Sequence, residues 1–395
     1  MSVPAAVEAL RPRAPELRDL LTRWCDQNSG SDNLAGLAAM HARLRDAFAR
    51  LPGAAVESVS LAGTAARALR VRQRPHAPLQ VFLSGHYDTV YGADDAFQRC
   101  EPVGADRLRG PGAADMKGGL VTMLAALEAF EQTPHAARLG YEVLLGPDEE
   151  TGSAGTGPLF AEAAPRFGLG LVFEPARANG DLVHSRKGTG NFTVTSRGRS
   201  AHAASGVGVG RNAIAALAEF LVAAHRVPDD LPGVLLNIGQ IRGGGAATNV
   251  IPDFAEAKLD VRVTRLADRA ALLARLEALA GPINAREGHR LELTGGFARP
   301  PMERSPAADA AFAAWQQAAR DLGLAPFASV HSGGASDANN LAAAGLPCLD
   351  GLGPIGDRLH SPDEWCLWPS IAERAQLAAL FLHRLAAGEV ALPPR

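Results

Sequence analysis

Apolar positions recur every three or four places along the first fifty residues. Leu17, Leu20, Leu21 and Trp24 share one helical face, and Leu37, Met40 and Leu44 continue the pattern after an SGSDN interruption at 29–33. Short apolar runs follow at 68–71, 79–84, 140–145 and 170–173, the length and texture of strands covered on both sides. An Ala-, Leu- and Met-rich stretch at 118–131 reads as a helix between the second and third runs. Strands alternating with helices predict an α/β domain whose sheet is at least partly parallel.

The texture changes after Lys187. Apolar and polar residues alternate over 190–196, an amphipathic helix is predicted over 212–225, and strands over 235–241 and 256–263. A helix at 268–279 and a strand at 290–294 complete a β-α-β-β-α-β block, the outline of a ferredoxin-like unit. Residues with catalytic character lie on both sides of it. The block is therefore predicted to be an inserted domain, 188–297, interrupting a catalytic domain made from 1–187 and 298–395.

Composition narrows the class. The chain has 395 residues, 47% hydrophobic and 21% charged, with a net charge of −3, which excludes extensive disorder and a strongly basic nucleic-acid binder. Glu8, Arg11, Arg13, Glu16, Arg18 and Asp19 interrupt the stretch where a signal peptide would be apolar, and no run long enough to span a membrane occurs. Cys25, Cys100, Cys348 and Cys366 are far apart and form no C-x-x-C pattern, so they read as small buried hydrophobes. A cytoplasmic protein with no membrane or nucleic-acid partner is the expectation.

The chemistry gathers at the ends of the apolar runs. SGHYDTV at 84–90 places His86 and Asp88 two positions apart, on the same side of an extended segment, where α/β sheets hold their ligands. A carboxylate beside an imidazole suits a metal ligand and the partner that fixes its tautomer. GPGAADMKGGL at 110–120 carries Asp115 in a glycine-rich turn before a helix, a position equally open to a helix cap. LLGPDEETGSAG at 144–155 supplies Asp148, Glu149 and Glu150, LGLVFEP at 169–175 supplies Glu174, and RLHSPDEW at 358–365 supplies His360. Two imidazoles and three carboxylates, with one carboxylate left uncoordinated, suit a pair of divalent ions such as zinc. G-P-G-A-A-D lacks the G-x-G-x-x-G order, which excludes a dinucleotide site.

These motifs, together with RKG at 186–188 and GRSAHA at 198–203, make the sequence resemble the M20 family of metallopeptidases and amidohydrolases, most closely its glutamate carboxypeptidase-like branch. The resemblance implies a zinc-peptidase-like α/β catalytic domain with a mixed central sheet and an inserted ferredoxin-like α+β lid and dimerisation domain. It implies two divalent metal ions, zinc first, with cobalt or manganese as alternatives. Asp115 would bridge them, His86 and Glu174 completing one site and Glu150 and His360 the other. Asp88 would orient His86, and Glu149 would be the general base.

The resemblance makes His202 in GRSAHAA and Asn249 in ATNVIPDF of the inserted block, and Arg299 in FARPP close to the return into the catalytic domain, candidates for binding a substrate carboxylate or the oxyanion, with His202 crossing a homodimer interface. His331 and the GGASD loop at 333–337 also have the character of a pocket wall. The implied reaction is hydrolysis of the amide joining an acyl or peptidyl group to a C-terminal amino acid, glutamate being one candidate. N-carbamoyl hydrolysis, aminopeptidase activity and a non-catalytic peptide-binding role are the alternatives.

Overall fold

The apolar run at 79–84 becomes the strand Leu79–His86, at the interior of an eight-stranded mixed sheet. The computed structural model describes residues 3–206 and 208–391. Two units are resolved. The first comprises the chain up to Ser185, Arg304–Ser332 and the chain from Ser336, and the second comprises Arg186–Glu303 with Gly333–Ala335.

In the first unit the sheet order is Ala55–Ser60, Arg67–Gln73, Leu139–Gly146, Leu79–His86, Leu169–Val172, Cys348–Asp350, Leu182–Arg186, Ser329–Ser332. Leu79–His86 runs parallel to Leu139–Gly146 and to Leu169–Val172, and Cys348–Asp350 is parallel to the latter. Both faces of these strands are covered. Val81 and Leu83 share a core with Leu120, Leu124, Leu377 and Phe381 from the helices Lys117–Phe130 and Trp368–Ala387. Phe82, pointing the opposite way, packs its ring 6.1 Å from Phe160 and 5.2 Å from Phe167. Each such side chain removed from water contributes about 1.5–3 kcal/mol, which is why the interior strands carry apolar residues on both faces.

One polar residue breaks that rule. Glu142 is buried within Leu139–Gly146 and is held by Arg70 at 3.2 Å, Arg72 at 3.1 Å and Arg166 at 3.0 Å. Three guanidinium groups offset the desolvation of one carboxylate.

The helical reading of the first fifty residues needs a correction. Besides the SGSDN break there is an earlier one: Ala5–Glu8 ends before a short 3₁₀ turn, Arg11–Arg13, and Ala14–Cys25 then begins with Pro15 in its first turn. Pro12 and Pro15 lack the N–H needed inside a helix and are tolerated only at such starts. The strand Ala55–Ser60 and a small sheet of Glu101–Val103, Arg107–Arg109, Gly356–Asp357 and Trp365–Leu367 were not anticipated. These segments are too short or too exposed to carry a period-2 apolar pattern.

The second unit has a four-stranded antiparallel sheet ordered Val234–Gly243, Phe254–Val263, Gly188–Arg197, Arg290–Arg299, with the helices Ala213–His225 and Leu266–Asn284 sharing its core. In chain order this is β-α-β-β-α-β, the ferredoxin-like arrangement. Its entry and exit lie side by side: Arg186 and Met302 exchange two backbone hydrogen bonds, of 2.9 and 3.0 Å. No helix among the described residues is long and apolar enough to cross a membrane. All four cysteines are buried and free.

Candidate metal centre

Parallel strands point their C-terminal ends the same way, so three of the motifs converge on one edge of the first unit's sheet. His86 is the last residue of Leu79–His86, the PDEE segment follows Leu139–Gly146, and Glu174 follows Leu169–Val172. Asp115 arrives from the turn before the helix Lys117–Phe130. That helix approaches the strand end so closely that a Cβ on Gly119 would lie 1.9 Å from the Phe173 carbonyl oxygen, so no larger residue fits there.

Asp115 faces two imidazoles at once. Its Oδ1 is 3.0 Å from His86 Nε2, and its Oδ2 is 3.3 Å from His360 Nε2. Glu174 Oε1 joins the His86 side at 3.7 Å, and Glu150 Oε2 joins the His360 side at 3.1 Å. Ligand atoms of His86, Asp115 and Glu150 all lie within 4.8 Å of one another. Glu149 is buried and close enough for its charge to act on both His86 and Glu150.

Asp88 sits behind His86. Its Oδ1 is 3.2 Å from His86 Nδ1, which leaves Nε2 as the nitrogen turned toward Asp115. The same carboxylate accepts hydrogen bonds from the Glu149 and Glu150 backbone N–H groups, both at 3.1 Å, and from the Ser31 hydroxyl at 2.8 Å. Asp88 thus ties the imidazole to the acidic segment. Asp148 is turned into its own loop, accepting from Gly155 N at 2.7 Å and Thr156 N at 3.2 Å, so of the three adjacent carboxylates it serves the turn.

Electrostatics follow from this crowding. Burial alone would lower His86, but its bonds to Asp115 and Asp88 and the charges of Glu174 and Glu149 outweigh burial and hold it well above the ordinary histidine value. His360 is raised by its bonds to Asp115 and Glu150. Burial pushes Asp115 up, yet the bonds from His360 and His86 prevail and keep it below the usual carboxylate range. Glu150 moves up, chiefly through burial and then through the charge on Asp115. Five carboxylates, Asp88, Asp115, Glu149, Glu150 and Glu174, around two imidazoles make the cluster predominantly acidic. Oxygen and nitrogen donors of this kind, arranged about one shared carboxylate, fit divalent cations.

Two residues here were not singled out from the sequence. Ser31, in what read only as a helix break, holds Asp88. Glu364, inside the LHSPDEW motif, is buried, and its side chain accepts from the backbone N–H of Ala114 at 2.9 Å, Asp115 at 3.0 Å and Gly112 at 3.3 Å. Burial, with Asp115 next, pushes Glu364 up to about 7. Neither carried a local signal, because each acts through hydrogen bonds to segments far away in the sequence.

In the second unit, His202 and Asn249 are neighbours. The two-residue strand Ala201–His202 pairs with Val250–Ile251, and Ala203 N donates to the Asn249 carbonyl at 2.8 Å. The exposed His202 ring accepts through Nδ1 from Ala204 N at 3.3 Å. Arg299 is buried at the end of Arg290–Arg299, opposite Thr189. His331 is in the first unit, its Nδ1 2.9 Å from the Ser185 hydroxyl. Gly333–Ala335 of the GGASD loop belong to the second unit, where Arg186 donates to the Gly334 carbonyl at 3.3 Å, whereas Ser336 caps the helix Asp337–Ala343 of the first.

Comparison with known proteins gives the same direction. The sequence profile described as Peptidase family M20/M25/M40 matches residues 82–384. Carboxypeptidase G2 of Pseudomonas sp. (strain RS-16) is 29% identical over 78% of this chain and 74% of its own length. Succinyl-diaminopimelate desuccinylase of Alkalilimnicola ehrlichii is 30% identical over 75% of this chain and 81% of its own length. The crystal structure of Bacillus subtilis YXEP, described as a dinuclear metal-binding peptidase from the M20 family, superposes with a TM-score of 0.70 at 15% identity, covering 97% of this chain and 100% of that one.

Proposed function

The chain belongs to peptidase family M20/M25/M40 and is a hydrolytic enzyme, and from that premise we propose that it uses two divalent ions, zinc in the first place, to cleave the amide between an acyl or peptidyl group and a C-terminal amino acid. The observation that carries the reading is Asp115, whose two oxygens face separate imidazole and carboxylate pairs. In this reading Asp115 would be shared by the two ions, with His86 and Glu174 holding one and Glu150 and His360 the other. Ions held there would polarise the scissile carbonyl and lower the pKa of an attacking water.

The chain's own residues do the rest. Glu149 takes the water's proton and returns it to the leaving amine, since it is buried beside the ligands without being one. Asp88 holds His86 in the tautomer that offers Nε2. Arg299, just past the inserted domain (188–297) where the chain returns to the catalytic domain, grips the substrate's free carboxylate through two parallel hydrogen bonds, with Asn249 of the inserted domain assisting. The names of the two curated relatives, a carboxypeptidase and a desuccinylase, support a product amino acid that keeps its carboxylate.

Activity of the zinc-loaded enzyme against dipeptides and N-acyl amino acids, with the released amine identified by mass spectrometry, tests the assignment. Free-acid substrates are expected to be cleaved, and Arg299→Ala to lower their kcat/KM by about 2–5 kcal/mol while sparing amidated analogues. Equal loss on both would reject the clamp. Cleavage confined to N-carbamoyl compounds, or release from the amino end, would reject the carboxypeptidase reading.

The inserted domain also offers a homodimer surface. Its edge strand Val234–Gly243 exposes Leu235 at 52% and Ile241 at 60%, and the adjoining helix Ala213–His225 exposes Val222 at 61%. Apolar side chains beside an unpaired edge are suited to pairing with a second copy. His202 would then act in the partner's site. Mixing inactive Glu149→Gln and His202→Ala subunits is expected to restore part of the activity, because one site per hybrid dimer is intact; verified hybrids without activity would reject the shared site.

A further inference from the structure

We propose that Glu364 is a positioning residue that sets the spacing between Asp115 and His360 by clasping the turn that carries one to the loop that carries the other. It rests on the two-ion reading above.

Glu364 lies four residues beyond His360. Its Oε1 accepts from Ala114 N and Asp115 N, and its Oε2 accepts from Gly112 N. The Tyr91 hydroxyl is shared between Oε2, at 2.9 Å, and the Ser361 carbonyl, at 2.8 Å. The main chain adds a further tie, since Gly110 N donates to the Glu364 carbonyl at 3.2 Å. The 110–115 turn therefore wraps its backbone donors around a single buried carboxylate that comes from the His360 loop.

That loop needs an outside hold. Arg358 and His360 have φ of 60° and 59°, in the left-handed region that residues other than glycine leave unless their surroundings fix them. Within the loop the Ser361 hydroxyl donates to the Arg358 carbonyl at 2.7 Å and accepts from Asp363 N at 3.3 Å, and the Ser361 carbonyl accepts from Glu364 N at 3.0 Å. Glu364 links this strained segment to the shared ligand.

The geometry also says why a glutamate is needed. A carboxylate accepts on both oxygens, whereas a glutamine amide in either orientation turns donors toward backbone N–H groups that already donate. Aspartate is one methylene too short to span the same donors. The His86 side is held independently, by strand pairing on both flanks and by Asp88. Loss of Glu364 should therefore fall on the ion between Glu150 and His360, which a general support for the fold would not single out.

The test is Co²⁺ binding to wild type, Glu364→Gln and Tyr91→Phe proteins, followed by equilibrium dialysis and visible absorption. Wild type is expected to take two ions, and Glu364→Gln to bind the second about 10–100-fold more weakly, with an altered spectrum and an unchanged first ion. Two ions at wild-type affinity and an unchanged spectrum in Glu364→Gln would overturn the proposal alone. A single ion in the wild type would overturn the two-ion reading, and the proposal with it. If Glu364→Gln does not fold, as judged by circular dichroism, Tyr91→Phe decides: a several-fold weaker second ion supports the clasp, and unchanged affinity overturns it.

Discussion

Replacing Glu149 by glutamine is expected to leave a folded, fully metal-loaded protein that turns over about 10²–10⁴-fold more slowly. The substitution keeps the length and planarity of the side chain and removes only its ability to take a proton. Amide hydrolysis needs that ability twice, once when water attacks and once when the amine leaves. The effect should therefore appear in kcat, with KM and metal content near their wild-type values. Steady-state kinetics on a preparation of measured metal stoichiometry provides the check. Near-normal turnover at full loading would remove Glu149 from its assigned role and send the search for the base to another carboxylate of the cluster.

The second large effect is expected at Asp115. Asp115→Ala should lose both ions and about 10³-fold or more of the activity if, as proposed, its side chain is shared by both sites, whereas His360→Ala should retain the ion on the His86 side. Metal content of dialysed protein separates these outcomes. Equal retention in the two variants would mean that Asp115 is not shared. Acid should weaken loading in the wild type as well. In the metal-free protein His86 and His360 hold their protons to higher pH than an ordinary histidine, and a ligating imidazole must shed its proton. Affinity is therefore expected to fall as pH drops, with proton release on binding measurable by calorimetry in buffers of different ionisation enthalpy.

His86, Glu149, Glu150 and Glu174 were legible as a cluster because each follows an apolar run, and parallel strands bring such ends together, whereas Asp115 and His360 were marked by their own motifs, a glycine-rich turn before a helix and LHSPDE. The ferredoxin-like block was legible for a related reason: its strands are buried on one face and alternate cleanly, as Phe192, Val194 and Ser196 do between more exposed neighbours. Ser31 and Glu364 were hidden because their importance lies in hydrogen bonds to segments 57 and about 250 residues away, which no local pattern records. The edge strand Ala55–Ser60 was missed because half-exposed edges tolerate mixed polarity. Glu142 stood inside an apparent apolar run, and only the arginines on neighbouring segments explain how it can be buried there.

The paired backbone at Arg186 and Met302 bears on how such a chain could arise and change. A guest segment whose two ends are hydrogen-bonded neighbours can be spliced into a host at a single surface position, since the host has only to span the gap between adjacent strands. Lengthening a loop within the guest, or exchanging the guest for another of similar build, then leaves the host's own reading frame of strands and helices intact. Lineages can diversify what is recognised at the rate loops change, while the chemistry stays under the slower constraint of a packed sheet.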